Sequence, residues 1–114
     1  MATNTAKLLH QSQLPALAGI AVKYTSPAVT KTIVTEINLC NTGAGANAVT
    51  LRAVSGGGVG TAANDIFNST GFSLAAGETV IRAGSLVLEA ADTISGGATN
   101  ANEVTITISG VQVT

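Results

Sequence analysis

Charge is scarce in this chain. Five Lys and Arg and six Asp and Glu make up 10% of its 114 residues, against about 25% in an ordinary soluble domain. The cations Lys7, Lys23, Lys31, Arg52 and Arg82 are scattered and offset by the acids. A nucleic-acid binder gathers its cations on one face, so that class is not expected. Aromatics are scarcer still. Tyr24, Phe67 and Phe72 are the whole set, too few for the stacking platforms that bases and sugars use.

The single cysteine, Cys40, has no internal disulfide partner. With the single histidine, His10, it falls short of a zinc site, which takes four ligands or three plus water. Nothing in their spacing brings the two together as nucleophile and base, and a small buried hydrophobe is the commoner role of a lone cysteine. Long apolar runs are missing too. The longest, LPALAGIAV at 14–22, is half the length that a membrane helix needs. At the start, Lys7 precedes polar His10, Gln11, Ser12 and Gln13, unlike a secretory leader. What remains is a 46% apolar chain of net charge −1. Such a surface has little repulsion to keep copies apart, and it suits a subunit buried against neighbours.

Alternation of period two dominates. In TIVTEINLC (32–40), Ile33, Thr35, Ile37 and Leu39 fall on one face. In AVTLRAV (48–54), Val49, Leu51 and Ala53 alternate with Thr50, Arg52 and Val54. Both read as half-buried strands. Paired as a hairpin with Cys40 opposite Ala48, they would set Glu36 across from Arg52. The last strand, NEVTITISGVQVT, changes apolar phase at Gly110, which predicts a β-bulge near Ser109–Gly110.

Two corners, LAAGETV (74–80) and LEAADTI (88–94), align at an offset of fourteen residues. Each carries an acid in a turn, with Gly77 expected at positive φ. Glu78 and Asp92 at matching places raise the idea of a calcium site. Turn stabilisation is the plainer reading, since such a site takes six or more oxygens. GTAANDIF suggests one helical turn, and no longer segment has a helical period.

Two glycine-rich stretches, NTGAGANAV (41–49) and VSGGGVGTA (54–62), invite comparison with phosphate loops. The first runs into a strand and the second lacks the lysine, so both read as turns. The NST triplet at 68–70 matches a glycosylation acceptor but has no leader to give it meaning.

About seven or eight short strands with regular turns predict an all-β protein, a small antiparallel β-sandwich of jelly-roll or Ig-like type. Residues 1–16 read as an N-terminal arm or edge strand, and residues 17–114 as a single β-sandwich domain.

The order of these parts resembles small structural proteins of tailed-phage virions. The resemblance rests on Tyr24 and Pro27, on the strand from Ile33 to Asn41, on the corner from Leu74 to Thr79 and on the Val/Thr-rich last strand. It covers nearly the whole chain and has no catalytic signature. It implies a non-enzymatic virion protein without cofactor or metal, first a capsid decoration protein and second a tail or fibre accessory. Implied partners are further copies of the chain, often as trimers, and the major capsid protein. Neither membrane nor nucleic acid belongs to that set. The arm residues Lys7, Leu8, Leu9 and Leu14 are the expected contacts. A sugar- or receptor-binding module is the alternative, with Phe67 and Phe72 flanking the NST triplet.

Overall fold

A computed structural model describes residues 3–67 and 73–114. In chain order its strands are β1 (Asn4–Gln13), β2 (Ala21–Thr25), β3 (Lys31–Asn41), β4 (Asn47–Val54), β5 (Asp65–Phe67), β6 (Ser73–Leu74), β7 (Thr79–Leu88), β8 (Thr93–Ala98) and β9 (Val104–Val113). Single 3-10 turns stand at Leu17–Gly19 and Ala62–Asn64. The second is the helical turn expected in GTAANDIF. It carries a capping box in which Thr61 and Asn64 bond each other's backbone.

The strands form two antiparallel sheets. One has the order β1-β9-β3-β7 and the other β2-β8-β4-β5, with β6 also on β4. Because β5 and β6 share the same side of β4, the described strands fill eight positions. Successive strands mostly alternate between sheets, the arrangement of a jelly roll. The all-β sandwich read from the sequence is the observed fold.

The core lies between the sheets. Val34, Ile37, Leu39, Val104, Ile106, Ile108 and Leu88 enter from the first; Tyr24, Val49, Leu51, Leu74, Ile94 and Ala98 enter from the second. Each buried Leu or Ile contributes about 2 kcal/mol by leaving water. Val104, Ile106 and Ile108 alternate with half-buried Thr105, Thr107 and Ser109, as the period of two requires.

The β3–β4 hairpin does not form. β3 pairs with β7 and β9, whereas β4 pairs with β8, β5 and β6. The apolar faces of β3 and β4 meet across the core instead of lying side by side. Residues 42–46 cross between the sheets, a gap of about 10 Å. Glu36 therefore shares a row with Ala83 and Ser109. Arg52 pairs with Asp65, Nε to Oδ1 at 2.9 Å.

The bulge is at the expected level but on other strands. β9 keeps its alternation through Gly110, while the extra residues are Leu9 in β1 and Thr35 in β3. β7 adds Gly84 and Ser85 opposite Thr35. These irregularities, in adjacent row intervals on three of the four strands, form a crease in the sheet. A Cβ on Gly110 would collide with the Ile33 carbonyl, so glycine lets β3 approach here. The extra Thr35 also reverses the phase of β3: Val34 is buried and Ile33 faces outward.

Candidate assembly surface

Of the expected contact residues, the structure brings only some to the surface. β1 is the edge strand of the first sheet, held along β9 from Asn4 to Gln13. Lys7 is exposed and Leu8 is 57% exposed. Leu9, the bulge residue, packs against the core. Leu14 has no exposure; it sits within the core and its amide donates to the Val104 carbonyl. Leu14 thus anchors the strand, and of the four expected contact residues Lys7 and Leu8 are the exposed ones. Phe72 and the NST triplet lie outside the described residues, as does the side chain of Phe67.

Residues paired across an antiparallel sheet share a face. Ala6 pairs with Val111, Val111 with Ile33, and Ile33 with Val87. Their neighbours Gly110, Val34, Thr32 and Leu88 are buried, so these four face outward. They form one apolar row across the full width of the sheet, with Leu8 and Val113 beside it. Above the crease the same face is mostly polar, with Gln11 and Gln13 on β1, Thr105 and Thr107 on β9, Asn38 on β3 and Thr79 on β7, but it also carries the exposed Ile81 of β7 and the half-buried Cys40 of β3. Gln11 Nε2 donates to Thr107 Oγ1 at 3.0 Å. The sequence signal for this row was the phase change at Gly110, which places Val111 and Val113 opposite in phase to Ile108. The period of β3 hid Ile33, because its bulge is not marked by a glycine.

The exposed tip of the β2–β3 turn is Val29, 89% exposed at φ 56°. A β-branched residue in that region is strained. At the opposite face, the second glycine stretch is a pinned cover rather than a binding loop. Thr93 Oγ1 donates to the Gly58 carbonyl and Ser95 Oγ to that of Val59, each at 2.7 Å. Asp92 Oδ1 accepts from the Gly56 amide and Arg52 Nη1 donates to the Gly60 carbonyl. This cover buries Thr93 and Ser95 of β8, and residues 16–20 lie over Gly97, so that every residue of β8 is buried.

The paired corners are one motif used twice. Glu78 Oε1 accepts from the Ala75 amide at 3.0 Å, and Asp92 Oδ2 from the Glu89 amide at 2.9 Å. The carboxylates stabilise their turns, and no group of three metal-ligating side chains occurs among the described residues. Gly77 takes φ 75° as expected, and its counterpart Ala91 takes φ 71°.

Reactive groups stay apart. Cys40 is half-buried on the outer face of β3, in the row of Thr105 and Thr79. His10 bonds Ser12 Oγ through Nε2 at 2.7 Å. Burial first, and then the Lys23 ammonium, hold its pKa below the ordinary 6.5. The crease opens a hollow of about 40 Å³ between β3 and β7, lined by Val34 to Ile37 and Arg82 to Leu86. Small-molecule sites run to about 300 Å³ or more, so the hollow suits a water rather than a substrate. Among the described residues no helix is long and apolar enough to cross a membrane.

No protein-family model matches the chain, and no curated protein matches it. Among solved structures, it is similar to a protein of the disulfide-linked pili of Bacillus endospore appendages. That likeness has a TM-score of 0.58 and 22% identity, over 100% of this chain and 88% of that one. It is also similar to the coat of the infectious bursal disease virus particle, with TM-score 0.57 and 8% identity, over 98% of this chain and 30% of the viral one. The subviral particle of the same virus matches at TM-score 0.53 and 12% identity, again over about a third (31%) of the viral chain. At these identities the likeness is one of fold. The fold occurs in proteins of pili and of virus particles.

Proposed function

We propose that this chain is a non-enzymatic structural subunit that acts by assembly, and that its place is the surface of a tailed-phage virion as a capsid decoration protein. The observation that carries the assembly reading is the sheet β1-β9-β3-β7, with an outward-facing apolar row, exposed at Ala6 and Val87 and half-buried at Val111 and Ile33, and two largely exposed ten-residue borders. The sequence resemblance supports the virion placement. The pilus and virus-particle neighbours support a subunit of a larger body. A decoration protein binds only the assembled lattice, so mass action shifts the particle toward that state. Many copies add avidity without new contacts. Lys7 and Leu8 are the β1 side chains that would meet the major capsid protein.

A second reading, a fibre or tail accessory built from repeated copies, is favoured by the fact that both sheet borders are open. Light scattering of the purified chain, followed by sedimentation with undecorated phage heads, separates the two. A multimer that sediments with heads is the expected result. A multimer that ignores heads moves the chain to fibres. A single-chain mass with no binding to heads overturns the assembly reading.

A further inference from the structure

Natural sheets protect their long borders with proline, charged side chains, bulges or a covering element, and β1 and β7 carry one mid-strand bulge each. Here β1 and β7 each run ten residues as sheet borders without a proline. β1 is exposed over its first five residues, and β7 is exposed at seven of its ten positions. Lys7 and His10 are the ionisable residues of one border, and Arg82 that of the other. By contrast the borders of the second sheet are short, five residues in β2 and three in β5.

Direction and register make these two borders complementary. Every step in β1-β9-β3-β7 is antiparallel, so β1 and β7 run opposite ways. A second copy placed alongside by translation therefore presents its β7 antiparallel to β1. The rows of the sheet then continue from copy to copy. Ala6 meets Val87, so the apolar row Ala6–Val111–Ile33–Val87 runs on unbroken. Gln11 meets Ile81, Ser12 meets Val80 and Gln13 meets Thr79. The irregularities fall one row apart, Gly84–Ser85 between the rows of Gly110 and Ser109 and Leu9 between those of Ser109 and Ile108, so β7 brings one more extra residue to the contact than β1. His10 enters the row of Arg82, and its lowered pKa keeps it uncharged there at neutral pH.

We infer that β7 of one copy pairs antiparallel with β1 of the next, in the register Ala6 to Val87, and extends the sheet head to tail. The inference rests on the assembly reading above and adds its interface. A two-fold pairing, β1 with β1 or β7 with β7, would leave one kind of border open. The head-to-tail contact covers both, and it generates a ring or a filament according to whether the rotation closes.

Cysteine cross-linking in a Cys40→Ser background tests the register. Within one copy, Ala6 and Val87 are three strand spacings apart, about 14 Å, too far for a disulfide. Under mild oxidation, Ala6→Cys mixed with Val87→Cys should give a dimer that either variant alone does not. The double variant should give a ladder of dimers, trimers and higher species on a non-reducing gel. Replacing Val87→Cys by Thr79→Cys in the double variant should remove that ladder. Dimers from either single variant alone would overturn the inference in favour of two-fold pairing. A multimeric mass by light scattering without the Ala6–Val87 cross-link would overturn this register and leave the assembly reading standing. A single-chain mass throughout would overturn both.

Discussion

Asn41 joins separate parts of the chain through one buried amide. Its Nδ2 donates to the carbonyls of Gly45 and Leu74, and its Oδ1 accepts from the Gly43 amide and from Asn47 Nδ2. Asn47 in turn bonds Glu103 and accepts from the Asn100 amide. Both asparagines have no exposure, so each lost partner leaves a polar group without water. Asn41→Ala should cost about 3 kcal/mol, since unsatisfied buried groups cost about 1–3 kcal/mol each; a urea titration reads it as a lower midpoint at unchanged slope. His10 sets a pH dependence of defined sign. Its folded pKa lies below the unfolded 6.5, so the unfolded chain binds the extra proton. The stabilising contribution is present above pH 6.5 and is lost as pH falls from there through the lowered folded pKa. His10→Gln should flatten the stability profile over that window in thermal melts; an unchanged slope would assign it to another group.

At the scale of elements, the two corners test how local sequence makes a turn. Both have a carboxylate that accepts the amide three residues back, and both need a left-handed residue before that acid. The first corner supplies Gly77. The second uses Ala91, whose Cβ makes φ 71° unfavourable by about 1–2 kcal/mol. Ala91→Gly relieves this strain but frees the unfolded chain by about 0.5–1 kcal/mol. The expected net is a gain of about 0.5 kcal/mol, visible as a small rise in Tm. A clear loss would mean that the corner owes its shape to the pinned glycine stretch beside Asp92 rather than to its own dihedrals. The crease is the other element-scale feature. Three of the four strands carry extra residues at adjacent levels, Thr35 and Gly84–Ser85 in one interval and Leu9 in the next, and each bulge adds local twist.

For the whole molecule, the low charge becomes a statement about association. The outer row Ala6, Val111, Ile33 and Val87 has no charged member, and the Lys31–Glu89 ion pair beside it is exposed. An assembly built on this row should keep its mass when salt rises from about 0.05 to about 0.5 M, because little of its energy is screened. Val87→Lys should shift the distribution to single chains by placing a solvated cation in the row, with circular dichroism unchanged. Dissociation by salt alone would point instead to an ionic interface. Deleting residues 2–14 is a poor probe of contact, since it removes a whole strand and the core residue Leu14.

Local sequence determined the strands, because alternation and turn chemistry act within a few residues. The alternation of the last strand, the positive φ of Gly77, the helical turn within GTAANDIF and the turns at the glycine stretches are all legible in short segments. Only the tertiary structure decided which strands pair. β3 and β4 are neighbours in sequence but face each other from different sheets, because a sandwich closes its core only when two apolar faces meet. That choice gave Arg52 to Asp65 rather than to Glu36. It also turned Ile33 outward through a bulge that no glycine marks. Burial of Leu14 and exposure of Leu8 follow from the same cause. Leu8 lies on β1, whereas Leu14 follows its last residue, beside the start of β9 at Val104, where the chain turns toward the second sheet. An apolar row that spans four strands belongs to no segment, so it exists only once the sheet is assembled.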